Sequence, residues 1–201
     1  MTARRWLVLF VKEPRMGRVK SRLARGIGAV RAAALYRRMS GRAIRLLSAD
    51  PRWTTVLAVT PDGADAPEWA PVSLRMDQGR GDLGIRMRKA FAALPPGPAV
   101  IAGSDVPDVT PAHIWEAFRA LGSADVVFGP GEDGGYWLVG MARRRPVPGF
   151  LEDVRWSTRH ALADSRAGVP GHLRVAEVAT LADIDTAEDL KKWGEGKVGR
   201  R

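Results

Sequence analysis

The sequence predicts an α/β fold, a mostly parallel sheet flanked by helices with one antiparallel strand. Short apolar runs of strand length alternate with segments of helical periodicity, the pattern of parallel strands joined by crossover helices. Glycine, proline and aspartate collect where the apolar runs stop, as they do at the carboxyl edge of an open sheet. The 201 residues, 45% of them hydrophobic, suffice for one domain with a single core. A domain over 1–201 with its core at about 5–193 is expected, without repeats, low-complexity blocks or linkers.

Residues 6–11 (WLVLFV) are the first strand, and it breaks into a loop bearing Pro14, Gly17 and the cations Lys12, Arg15, Arg18, Lys20 and Arg22. Residues 29–49 carry Val30, Ala34, Leu35, Met39, Ile44 and Leu47 at helical spacing, with Gly41 a weak point. Residues 55–60 form a second strand, stopped by Pro61-Asp62-Gly63, and 72–76 a short third one. A helix over 82–94 and a buried strand over 99–102 follow. Residues 110–121 read as a helix capped by Thr110 with Pro111 at its first position, and 125–128 as a strand. Residues 136–141 continue as a strand with no helix before it, which predicts an antiparallel orientation. The remainder reads as a helix at 157–166, a strand at 173–178 and a closing helix at 186–193. Residues 194–201 lack apolar periodicity and predict a frayed tail. The run Arg143-Arg144-Arg145 reads as a surface loop.

Composition narrows the function classes. The absence of cysteine excludes disulfides, thiolate metal sites and a thiol nucleophile, and it suits a reducing, cytoplasmic setting. The longest apolar run, closed by Lys12, is too short for a membrane span and wrongly flanked for a signal peptide; a soluble, unprocessed protein is expected. The net charge of +10 is spread over helix faces rather than gathered in an aromatic-interleaved stripe. Phosphate-bearing small molecules are therefore the expected partners in preference to nucleic acid. His113, His160 and His172 show no partner pattern, which argues against histidine-based catalysis.

Three motifs carry chemistry. The first loop puts backbone N–H groups and cations at a strand end, where phosphates bind; it matches neither full glycine-rich phosphate pattern, and a solvated basic connection would read the same. Asp105, in Gly103-Ser104-Asp105, emerges from the strand at 99–102. Its carboxylate suits Mg²⁺ or Mn²⁺ bridging a nucleotide's phosphates, or organises the turn before Pro107. Asp183-Ile184-Asp185-Thr186 supplies a second carboxylate group as well as a cap for the last helix. Gly134 and Gly135 allow positive φ and close backbone approach, so that Asp133 and Tyr136 could meet an acceptor or sugar; a β-turn needs the same glycines.

In this order, residues 12–23 (KEPRMGRVKSRL), 78–87 (QGRGDLGIRM), 103–108 (GSDVPD), 129–140 (GPGEDGGYWLVG), 156–158 (WST) and 183–190 (DIDTAEDL) resemble the bacterial GT-A-type glycosyltransferases of unassigned substrate, the DUF2064 group, some of which are placed in arsenosugar biosynthesis. The architecture is similar, more distantly, to molybdopterin and phospholactate guanylyltransferases. The resemblance spans about residues 6–193 and implies the GT-A, or nucleotide-diphospho-sugar transferase, fold. It implies that Lys12, Arg15, Gly17, Lys20 and Arg22 wrap nucleotide phosphates, that Asp82, Gly103, Ser104, Gly134, Gly135 and Tyr136 complete the substrate site, and that Asp105 and Asp185 hold Mg²⁺ or Mn²⁺. Where guanylyltransferases carry a glycine-rich first loop, this chain has Val-Lys-Glu-Pro-Arg-Met-Gly, which favours glycosyl over nucleotidyl transfer.

The expected function is glycosyl transfer from a nucleotide-sugar to a small-molecule acceptor, with Asp133 as base and Lys20 stabilising the leaving diphosphate. The alternative is nucleotidyl transfer from a nucleoside triphosphate to a phosphorylated substrate, releasing pyrophosphate. A non-catalytic nucleotide-binding or RNA-binding protein is a third reading, against which the carboxylates argue. Late Trp and Leu residues leave room for a homodimer.

Overall fold

The computed structural model describes residues 4–144 and 150–198. Seven strands form one sheet: β1 (Trp6–Lys12), β2 (Thr54–Thr60), β3 (Arg75–Asp77), β4 (Ala99–Gly103), β5 (Val126–Pro130), β6 (Tyr136–Met141) and β7 (Val175–Glu177). Six helices accompany them: α1 (Ser21–Ile27), α2 (Ala29–Ser48), α3 (Leu83–Ala93), α4 (Pro111–Ala120), α5 (Ala161–Ala167) and α6 (Ala187–Val198). The strand order is β3-β2-β1-β4-β6-β5-β7. Every pairing is parallel except those of β6, which runs antiparallel to both β4 and β5.

The first strand reads as unbroken apolar sequence because both faces of the sheet are covered. Leu7, Leu9 and Val11 pack with Ile44 and Leu47 of α2 and with Ile114 and Phe118 of α4. Trp6 and Val8 point the other way, to Met87 and Phe91 of α3 and to Phe150. A smaller cluster of Leu23, Leu35, Met39 and Ile184 ties α1 and α2 to the segment before α6. Gly26 of α1 lies so close to Ala187 of α6 that a methyl group there would overlap it. This contact brings the end of the chain back to the first loop.

Some elements depart from expectation. The third strand begins at Arg75, because Val72 is drawn into the core beside Trp69 after a 3₁₀ turn over Pro67–Trp69. Residues 157–160 are a turn, with Ser157 at positive φ, so α5 starts at Ala161. Helix α6 continues through Val198, beyond the expected tail boundary; residues 199–201 lie outside the described residues. His113 does have a partner: the Thr110 N–H donates to its Nδ1 at 3.3 Å, closing the start of α4. Arg143 and Arg144 are more than surface loop. Arg143 donates to the carbonyls of Leu94 and Pro95 behind α3 at 2.7 and 2.8 Å, and Arg144 to Leu121 behind α4 at 2.7 Å, satisfying carbonyls that helix ends leave open. Arg145 lies outside the described residues.

Candidate active site

The first loop leaves the sheet where β1 ends. The Lys12 N–H donates to the Tyr36 hydroxyl at 2.8 Å, the Glu13 N–H to the Thr60 carbonyl at 2.8 Å, and Val19 packs against Ala33 and Tyr36. Two left-handed residues shape the return, Gly17 at φ 75° and Lys20 at φ 48°. A lysine in that region costs on the order of 1 kcal/mol. What holds it there is its side chain, which is only 5% exposed and reaches Asp105 Oδ2 at 2.8 Å, Asp183 Oδ2 at 3.5 Å and Asp185 Oδ1 at 3.6 Å.

This cluster sets the site's electrostatics. Burial pulls the Lys20 ammonium down, but the three carboxylates outweigh it and hold it above the ordinary lysine value. Burial pushes Asp183 up to about 6, with Asp105, Asp133 and Asp185 adding to the rise against Lys20. Arg22 braces the rim, its Nη1 3.1 Å from Asp185 Oδ2. Ile184, 1% exposed in the cluster with Leu23 and Leu35, anchors the chain between the two aspartates. Thr186 and Asp189 form a reciprocal cap at the start of α6: Asp189 Oδ2 accepts from the N–H groups of Asp185 at 3.1 Å and Thr186 at 2.7 Å, and Thr186 Oγ1 accepts the Asp189 N–H at 3.2 Å. Capping and site geometry thus coexist in one segment.

Above the cluster opens a cavity of about 550 Å³, ample for a small-molecule ligand. Lys12, Arg18, Lys20, Arg22, Ser104, Asp105, Asp133, Asp183 and Asp185 line it. A second cavity of about 210 Å³ adjoins it, lined by Leu83, Gly103, Val106, Gly135, Tyr136, Trp137 and Trp156, among others. Asp105, Asp133, Asp183 and Ser157 belong to both.

The remaining expected site residues sit elsewhere. Arg15 is exposed and pairs with Glu13 at 3.0 Å. Gly17 shapes the loop without lining a cavity. Asp82 caps α3, accepting the Ile85 N–H at 2.8 Å. Gly134 holds the turn before β6 at φ 83°, and Asp133 Oδ1 accepts the Gly135 N–H at 2.9 Å. Asp183, Gln78 and Tyr36 join the site although none is an expected site residue. Asp183 belonged to a motif read mainly for its neighbour. Gln78, buried, donates to the Val11 and Ala58 carbonyls at 3.2 and 2.8 Å and lines the larger cavity; its signals are its place at the end of a strand run and at the head of the 78–87 motif. Tyr36 looked like one more helix-face residue, yet its hydroxyl lies 3.4 Å from Ser104 Oγ, and burial raises its pKa.

Whether a divalent cation fits can be tested on the donor set. Among the described residues, no group of three or more His, Asp or Glu side chains is arranged to hold a metal ion; the cation between the carboxylates is Lys20. Asp105 and Asp185 nevertheless converge on one point, Lys20 Nζ. Two carboxylates with other positions left to phosphate and water are the usual protein contribution to Mg²⁺ in a nucleotide site. The donor type therefore suits such an ion, while Lys20 occupies the point on which the two carboxylates converge.

Known structures share this architecture. A candidate nucleotide-diphospho-sugar transferase from Desulfovibrio desulfuricans G20 is 28% identical with a TM-score of 0.80, the match covering 96% of this chain and 87% of that one. The 4-diphosphocytidyl-2C-methyl-D-erythritol synthase of Anaerococcus prevotii DSM 20548 is 10% identical with a TM-score of 0.64, covering 98% and 97%. Rv0371c of Mycobacterium tuberculosis H37Rv, in complex with manganese, is 17% identical with a TM-score of 0.56, covering 97% and 100%. The fold is that of the nucleotide-diphospho-sugar transferases. No curated protein matches the chain significantly. The family model described as "Uncharacterized protein conserved in bacteria (DUF2064)" matches residues 43–158, more than half of the chain, and the protein therefore belongs to the DUF2064 family.

Proposed function

We propose that the protein is a metal-dependent glycosyltransferase that moves a sugar from a nucleotide-sugar to a small acceptor. One observation carries this reading: a cavity edged with cations and a smaller one walled by aromatic rings meet at Asp105, Asp133 and Asp183. A donor's diphosphate suits the first chamber and an acceptor the second, with the transferred sugar at their junction.

Lys12, Arg18, Lys20 and Arg22 bind and orient the diphosphate. Asp105 and Asp185 would hold Mg²⁺ or Mn²⁺, whose charge, when bound, would help neutralise the leaving group. An acceptor hydroxyl oxygen attacks the anomeric carbon. As the new C–O bond forms, the bond to the nucleoside diphosphate breaks, the diphosphate leaves with the electron pair, and the hydroxyl proton passes to Asp133. Nucleotidyl transfer is the second reading, favoured by the likeness in fold to the erythritol-derivative synthase.

The test is a thermal-shift and calorimetric titration with nucleotide-sugars and nucleoside triphosphates, in Mn²⁺ and in chelator. A nucleotide-sugar should bind in a metal-dependent way, and Asp105→Asn and Asp185→Asn should remove that dependence. If neither ligand class binds metal-dependently and both variants behave as wild type, the proposal fails. Acceptor-dependent release of pyrophosphate from a triphosphate would instead establish nucleotidyl transfer.

A further inference from the structure

The walls of the smaller cavity say what kind of acceptor it takes. Its aromatic residues spend their polar atoms on the protein: the Tyr136 hydroxyl is 3.2 Å from the Ser165 hydroxyl, and Trp137 Nε1 donates to the Ala179 carbonyl at 3.0 Å. Trp156 meets Tyr136 edge-on, centroids 6.3 Å apart, and Val106 and Leu181 extend the apolar lining.

No lysine or arginine is among the described residues that line this cavity, whereas four line its neighbour. The glycine loop offers no free anion nest in their place. The Gly131 N–H donates to the Gly135 carbonyl at 2.9 Å, and the Gly135 N–H is held by Asp133 at 2.9 Å. Polar character at the rim comes from Asp105, Asp133, Asp183, Ser157 and Thr158. A phosphate here would find no cation of the cavity's own and three carboxylates facing it.

We infer that this cavity binds an uncharged, ring-bearing alcohol, its ring beside Tyr136 and Trp156 and its hydroxyl toward Asp133. The volume of about 210 Å³ accommodates one ring with a few substituents, since a cavity of about 150 Å³ admits benzene. This specificity rests on the transferase reading and sharpens it, because nucleotidyl transfer to a phosphorylated substrate would need an anion held where the lining supplies no cation.

The experiment compares benzyl alcohol with benzyl phosphate by ligand-observed NMR titration, using the full chain with and without a nucleotide-sugar and Mn²⁺. Benzyl alcohol should bind at least about tenfold more tightly than benzyl phosphate. Trp156→Ala should weaken it by about tenfold, the scale of one aromatic contact. Leu83 is 40% exposed, so Leu83→Arg puts a cation at the rim without disturbing the core; it should bring benzyl phosphate binding up to the level of the alcohol. Equal or tighter binding of the phosphate by wild type overturns the inference, as does failure of both probes to bind at high millimolar concentration. Either result would leave metal-dependent nucleotide-sugar binding intact, and it is loss of that binding which would sink the transferase reading.

Discussion

Lys20→Met removes the one buried cation that three aspartates share while keeping most of the apolar stem. Breaking a buried ion pair costs about 3–5 kcal/mol, because the surviving charge stays desolvated. Here the lysine side chain is 5% exposed but the carboxylates are 32–38% exposed, so water relieves part of the penalty and the expected loss is about 2–3 kcal/mol at pH 7. With a urea m-value of about 2 kcal/mol per molar, the unfolding midpoint falls by about 1 M. The assay is urea denaturation followed by tryptophan fluorescence at pH 8, 7 and 5. Chelator is present throughout, because a bound divalent ion would replace the missing charge.

The pH dependence has a definite sign. Asp183 is raised to about 6 in the folded protein, so between about pH 4 and 6 the fold keeps a proton that the unfolded chain has released. Acidification through that window stabilises the fold, and more so once Lys20 is gone. The variant's deficit should therefore shrink from pH 8 to pH 5. A loss below about 0.5 kcal/mol, or a deficit that grows on acidification, would refute the electrostatic account of the cluster.

Gly134→Ala should lower the melting temperature by about 5–10 °C, corresponding to about 2–3 kcal/mol, since Gly134 sits at φ 83° and a Cβ there would collide with the Arg159 carbonyl. Gly171→Ala is the control, because nothing lies within 4 Å of that position, and it should leave the melting temperature unchanged. Asp189→Ala should cost about 1 kcal/mol in urea denaturation, and metal-dependent nucleotide binding in calorimetry should weaken severalfold because the Asp185 backbone loses its 3.1 Å anchor.

The fold was legible where local pattern and tertiary role agree. The strand at residues 136–141 and its reversed direction followed from the missing crossover helix, and both occur as β6. The first crossover helix begins at Ala29 as its spacing predicts. Helix α1 was not legible: of its seven residues only Leu23 is buried, too few to reveal a period. What holds it is the packing of Leu23 against Leu35, Met39 and Ile184 and the close approach of Gly26 to Ala187. For the same reason, residue types suggested Lys20, Asp105 and Asp185 as site residues, but not that one ammonium would bridge the carboxylates. That depends on a left-handed backbone at Lys20, which no local pattern specifies for a lysine. Gln78 and Tyr36 escaped because their polar ends are spent on backbone and hydroxyl groups 20 or more residues away in sequence.

The reversal of β6 explains how a basic protein keeps two chambers of different character. In a wholly parallel arrangement, a crossover helix would separate β5 from the next strand, and only loops that follow strands would face the ligand edge. β5 runs parallel to β1 and β4, so the turn after it carries Asp133 to the edge where they end, and because β6 returns directly its first residues, Tyr136 and Trp137, lie at that edge as well. Pairing Ala102 with Leu138 also sets Trp137 beside Gly103, and both line the smaller cavity. The first loop, leaving β1 on the other side of β4, brings Lys20 and Arg22 to the larger cavity. The boundary falls near β4, and Asp105, just past its end, faces both chambers while pairing with Lys20. Sheet order therefore separates the cation-lined chamber from the aromatic-lined one, and Asp105 and Asp133 stand where the two meet.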